Sequence, residues 1–252
     1  MASRGMMRTA FAAYHRNDRA MIAGVVIVVW AAIVVGFGLD MVRRAHEGSL
    51  NFPLIVHLHV VAYGSWLLLL AAQVWLVRTR RVTVHRRLGM AALLLIPLML
   101  VLGPATAITE IVNNPYMPDR WVAWLSVNFA NTFGSVVLLF AGFLMRRDPP
   151  SHKRLMLMGT IAVTEPGFSR IWLSALVDRL GEGYLAFYFE AFIGTLVLVL
   201  AVGAYDLATR RRLHPAYVGA ALWIFANEAL ATWLYYQPWW LSTVKTMTGH
   251  GG

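Results

Sequence analysis

Seven apolar stretches run through this chain, at about residues 21–39, 52–77, 88–108, 121–145, 154–177, 184–207 and 216–241. Each is close to or above the roughly 20 residues that a helix needs to cross the hydrocarbon of a bilayer. Backbone N–H and C=O groups facing lipid must be satisfied within the segment, so stretches of this kind fold as helices. The loops between them are short and leave no room for a soluble domain. The expected fold is all-α, a polytopic membrane bundle of seven transmembrane helices forming one domain over residues 1–252. Composition agrees: 59% of the chain is hydrophobic and 13% charged, about half the charge of an ordinary soluble domain.

The net charge of +10 would point to nucleic acid in a soluble protein. Its placement points elsewhere. Arg4, Arg8, Arg16 and Arg19 precede the first stretch, and Arg78, Arg80, Arg81, Arg86 and Arg87 lie between the second and third. Arg146, Arg147, Lys153 and Arg154 lie between the fourth and fifth, and Arg210, Arg211 and Arg212 between the sixth and seventh. An alternating chain puts all of these on one side and only Arg43, Arg44, Arg120, Arg179 and Lys245 on the other. The positive-inside rule then predicts a cytoplasmic N-terminus and an outside C-terminus. The basic rim reads as a contact with anionic lipid headgroups, so no nucleic-acid partner is expected. Tyr116, Trp121, Trp124, Tyr184, Tyr235, Tyr236, Trp239 and Trp240 fall at the predicted outer ends, as an aromatic belt would. The absence of cysteine excludes disulfides, thiolate metal ligands and covalent haem attachment. The first stretch is read as a retained signal anchor.

Three predicted cytoplasmic corners share a local pattern: His85-Arg86-Arg87-Leu88-Gly89, His152-Lys153-Arg154-Leu155-Met156 and His214-Pro215. This reads as a helical hairpin used three times, with the first span added in front. The corners suit a plain structural account, in which the histidines start helices and their neighbours reach headgroups. The functional account brings His85, His152 and His214 together as a metal site or an anion cradle.

Within the stretches, polar residues concentrate at one level. At about 1.5 Å of rise per residue, His57 and His59 lie roughly 7 to 11 Å below the outer boundary, and Asn128 and Asn131 roughly 10 to 15 Å. Glu190 lies at roughly 9 Å, with Glu165, Asn227 and Glu228 near the midplane and Arg170 about a turn higher. Ionisable groups at this depth are costly and normally face the bundle interior. The candidate ligand- or metal-binding set is therefore His57, His59, Glu165, Glu190 and Glu228, supported by Tyr63, Asn128, Asn131, Arg170 and Asn227. His57 and His59 are two residues apart, about 200° of helical rotation, so one is expected to face the core and the other a groove. Pro166-Gly167 is expected to interrupt the fifth span beside Glu165. The inner half holds few such groups apart from Gln73 and Thr160, which counts against full conduction across the membrane.

Imidazole with carboxylates suits zinc, iron or copper, and a histidine, an acid and aromatic walls suit a quinone or a lipid headgroup. Glu-x-x-His, His-x-x-x-His and His-Glu-x-x-His motifs are absent. Transmembrane bis-histidine haem is disfavoured, because both membrane-depth histidines lie on one span.

The corner motifs, with His57-Leu58-His59, Arg170, Tyr205-Asp206-Leu207 and Arg212-Leu213-His214-Pro215, resemble a largely uncharacterised family of bacterial seven-helix membrane proteins. More distantly, the His-Arg-Arg corners resemble small membrane proteins linked to assembly of haem–copper oxidases. The resemblance covers roughly residues 50 to 220. It implies the bundle fold and a bacterial cytoplasmic (inner) membrane, and it carries over no catalytic residue. The leading expectation is a buried His/Glu/Arg site in the outer half of the bilayer that binds a metal or a quinone- or lipid-like ligand and is redox-linked. The alternatives are an accessory or assembly subunit docked on other membrane subunits, and a proton or small-solute transporter.

Overall fold

The computed structural model describes residues 11–181 and 183–250, apart from the side chains of residues 173–175, 177 and 178. Among the described residues the chain forms nine helices and no strand. These are α1 (Asp18–His46), α2 (Leu54–Arg78), α3 (Val82–Val112), α4 (Asp119–Leu144), α5 (Pro149–Ala162), α6 (Glu165–Leu180), α7 (Tyr184–Arg210), α8 (Pro215–Tyr235) and α9 (Pro238–Thr248). Helix α3 includes a 3-10 turn at Gly89–Ala91.

Five of these, α1, α2, α3, α4 and α7, are long and apolar enough to cross a membrane. The outward face agrees. Ile27, Leu94, Leu185 and Leu222 expose 67%, 66%, 69% and 65% of their surface, scattered over four helices. Apolar exposure on that scale fits contact with lipid. The chain is a multi-pass membrane protein. Helices α5 and α6 are each too short to span alone, and Asn227 and Glu228 dilute the apolarity of α8.

Contacts between helix ends set the directions of α1, α3, α4, α5 and α7. At one end, Lys153 of α5 and Arg210 of α7 both reach Asp18 of α1, at 2.6 and 2.8 Å. At the other, Arg44 of α1 meets Glu110 of α3 at 3.0 Å, and Lys245 of α9 meets Asp119 of α4 at 2.7 Å. We call these the basic end and the aromatic end.

Two prolines divide predicted spans. The fifth was expected to break at Pro166-Gly167, but α5 already ends at Ala162. A proline clashes with the carbonyl four residues earlier, and here that is the carbonyl of Ala162. Pro166 falls instead in the first turn of α6, where no N–H is needed. The predicted span at 216–241 is likewise two helices. Pro238 opens α9, and the preceding Gln237 is extended (φ −83°, ψ 122°), as residues before proline prefer.

Close helix crossings depend on glycine. A Cβ on Gly36 of α1 would collide with the carbonyl oxygen of Gly167 on α6, and one on Gly167 would lie 2.8 Å from the carbonyl oxygen of Ala32. Small residues that let backbones approach are the usual means of tight packing between membrane helices.

Contrary to the sequence expectation, the half nearer the basic end buries a charge network. Arg154 donates from Nε to Asp206 Oδ2 at 2.7 Å and from Nη1 to the Pro150 carbonyl at 2.9 Å. Asp18 accepts from Lys153, Arg210 and Tyr205. Lys153, Arg154 and Arg210 were expected at the headgroup rim. Facing Asp18 and Asp206 draws them inward, because a buried charge survives only when paired.

Candidate functional site

The broken span organises the site. Because α6 begins at Glu165, this carboxylate sits at a helix N-terminus inside the bundle, 1% exposed. Asn131 on α4 donates from Nδ2 to Glu165 Oε2 at 2.5 Å. Glu165 Oε1 is buried with no hydrogen-bond partner among the described residues. The residue lies next to Pro166, which is why the helix restarts there.

Glu228 lies about 20 Å along α8 from the basic end and is 4% exposed. The Tyr188 hydroxyl of α7 donates to its Oε2 at 2.8 Å. A cavity of about 10 Å³ adjoins Glu228, lined also by Asn131, Gly134, Ala162 and Asn227. Asn227, half-buried, donates to the Trp223 carbonyl at 2.7 Å, and Trp223 Nε1 donates to the Gly134 carbonyl at 3.0 Å. The second bond ties α8 to α4 beside the cavity.

Glu190 and Arg170 stand apart from this pair. Glu190 accepts from Arg120 at 3.3 Å. Arg170, expected to offset the surplus acid, donates to the Pro166 carbonyl at 2.7 Å. Its Nε lies 3.8 Å from Asp40 of α1, and its guanidinium covers the Phe37 ring. Arg170 is exposed and forms no salt bridge with Glu165 among the described residues. Neither Glu165 nor Glu228 has a salt-bridge partner among the described residues.

The span-two histidines diverge as their spacing predicts. His57 is exposed, with its ring edge-on to Phe52 at 6.5 Å. His59 turns inward and stacks on Tyr63 at 4.2 Å, while the Tyr63 hydroxyl donates to the Met99 carbonyl at 3.0 Å. No hydrogen bond joins either imidazole to Glu165, Glu190 or Glu228 among the described residues. Nor does any group of three His, Asp or Glu side chains gather there closely enough to hold a metal. Asn128 is half-buried, three residues before Asn131 and outside the cavity lining.

The corners also separate. His85 and His152 approach one another, with ring centroids 6.3 Å apart. His214 does not join them. It caps α8, its Nδ1 accepting from the Ala216 N–H at 3.1 Å, and its ring meets Phe11 edge-on at 4.6 Å. Burial, then the nearby Arg154 cation, pushes His214 below the ordinary histidine value.

Tyr188, Arg120 and Asp40 were missed as partners. Each is ordinary in sequence: an aromatic among aromatics, and two charges near helix ends. Only Tyr188 carried a signal, since a tyrosine near a buried acid can place its hydroxyl there. Comparison with family models, curated proteins and solved structures finds no match to this chain.

Proposed function

We propose that the chain is a seven-span membrane protein that takes up a proton, or a small cation in its place, at Glu165 and Glu228. Helices α5 and α6 together form one interrupted span, and α8 is the last. Interrupted helices at membrane depth characteristically border an ion or substrate site. The arginine distribution supports a cytoplasmic basic end in a bacterial inner membrane, with the pair nearer the outer side.

One observation carries this reading: the charge balance of the buried acids. Glu190 is met by Arg120, and Arg170 is drawn away by Asp40. Glu165 is left with an amide and Glu228 with a phenol, neither has an ion pair among the described residues, and the cavity adjoins Glu228. An uncompensated carboxylate away from water is costly, so the pair holds a positive charge at rest. Size argues between occupants. A cavity of about 10 Å³ suits one water-sized centre, whereas pockets for organic ligands run to about 300–1,000 Å³. A quinone or lipid headgroup fits poorly.

Polar groups also continue toward the basic end. Thr164 Oγ1 donates to the Thr160 carbonyl at 2.7 Å, Trp66 Nε1 reaches Thr160 Oγ1 at 3.3 Å, and Arg154–Asp206 lies beyond. A carbonyl-bound hydroxyl and an indole N–H do not hand a proton onward, so these groups extend the polarity of the bundle without forming a continuous relay.

Infrared difference spectra of the protein in phosphatidylethanolamine–phosphatidylglycerol vesicles test this. Between acidic and alkaline buffer, a protonated-carboxyl band should change in wild type and be lost in Glu165→Gln or Glu228→Gln. A band unchanged in both folded variants would overturn the assignment.

A further inference from the structure

The basic end holds a second cluster of ligating side chains, away from the carboxylate pair. His85 stands in the first turn of α3 and His152 in the first turn of α5, with ring centroids 6.3 Å apart and planes at 84°. The His152 ring has one nitrogen held by a backbone carbonyl. His152 Nδ1 lies 2.8 Å from the Gly142 carbonyl oxygen. His85 Nδ1 is buried with no hydrogen-bond partner among the described residues.

A ring nitrogen against a carbonyl oxygen carries the proton. In the neutral His152 ring this leaves Nε2 as a bare lone pair, and the unpartnered Nδ1 of His85 offers a second nitrogen. Metal-binding imidazoles are held in this way, with the far nitrogen donating to a carbonyl or carboxylate that fixes the tautomer.

Gln73 adds a third donor. Both side-chain polar atoms are buried without a partner. A Cβ on Gly89 would lie 3.2 Å from Gln73 Nε2, so the amide rests on α3 one turn beyond His85, where the corner glycine leaves room. With metal–nitrogen bonds of about 2.0–2.1 Å, each ring centroid lies roughly 3.2 Å from the ion, so two ligating rings stand at most about 6.4 Å apart. The observed 6.3 Å sets the two rings almost opposite one another across a shared ion, which suits copper and not tetrahedral zinc.

We propose that His85, His152 and Gln73 form a binding site for one copper ion, Cu(II) or Cu(I). Imidazole nitrogen suits these ions, and affinity along the first-row divalent series peaks at copper. The Arg86 cation acts on His85 and opposes a bound cation, so the site binds more weakly than a closed three-histidine site would.

Cu(II) titration of the full-length, tag-free, chelator-treated protein in detergent, followed by electron paramagnetic resonance, tests this. One Cu(II) per chain is expected, with hyperfine splitting from two nitrogens. His85→Ala and His152→Ala should each weaken binding by at least about tenfold, Gln73→Leu by less, and His214→Ala not at all. Gel filtration and circular dichroism check that each variant is folded. Unchanged affinity in a folded His85→Ala or His152→Ala protein would overturn the site. So would a wild type that binds no stoichiometric copper or lacks the two-nitrogen signature, a result that needs no variant to fold.

Discussion

Arg154 clasps Asp206 through both Nε and Nη2, with the two side chains 4% and 1% exposed at the junction of α5 and α7. The pair is the innermost part of a network that also holds residues 11–13 against the bundle. Lys153 Nζ donates to the Ala13 carbonyl and Arg210 Nε to that of Ala12. The Phe11 ring lies beneath the Arg154 guanidinium at 4.6 Å.

Removing one member of such a pair leaves an unmatched buried charge. Asp206→Ala should lower unfolding stability in detergent by about 3–5 kcal/mol, whereas Arg154→Met with Asp206→Leu should be near neutral. Denaturant titration followed by tryptophan fluorescence measures both. Equal losses in the single and double variants would contradict the account.

The α1–α6 crossing admits no side chain. Gly36→Ala and Gly167→Ala should each cost about 1–3 kcal/mol by forcing the backbones apart. Gly38, with nothing within 4 Å of an added Cβ, should accept alanine without loss. Thermal midpoints of the three variants in one detergent make the comparison.

Acidification should undo the α8 cap. His214 accepts the Ala216 N–H as a neutral ring, and burial holds it below the ordinary value of 6.5. A lowered histidine contributes stability that is complete above the ordinary value and lost as pH falls toward the folded one. The thermal midpoint should therefore drop on going below about pH 6.5. The drop should be smaller in His214→Asn, which caps without titrating. Identical pH profiles would exclude this histidine as the cause.

Tyr188→Phe should strand Glu228 without its donor, costing about 1–3 kcal/mol. Adding Glu228→Met should restore most of that loss, since no buried acceptor then remains. A double-mutant cycle on unfolding free energies reads the coupling directly.

The amino-acid sequence by itself determined an all-helical membrane chain. The apolar stretches behind α1, α2, α3, α4 and α7 were legible because lipid imposes one rule, a long apolar run with its backbone bonded internally. The opposed facing of His57 and His59 followed from helical rotation alone. Proline also spoke locally: the breaks before Glu165 and after Tyr235 arise from a missing N–H and a clash four residues back, although the sequence reading put the first break slightly late and ran the last span through the second. Partner choice needed tertiary structure. Asp18 and Asp206 looked like helix-end charges, yet they draw Lys153, Arg154 and Arg210 out of the headgroup rim. Asp40 takes Arg170 from the acids it was expected to balance. An ion pair depends on which helix faces which across the bundle, and residues as far apart as Asp18 and Arg210 carry no local mark of meeting.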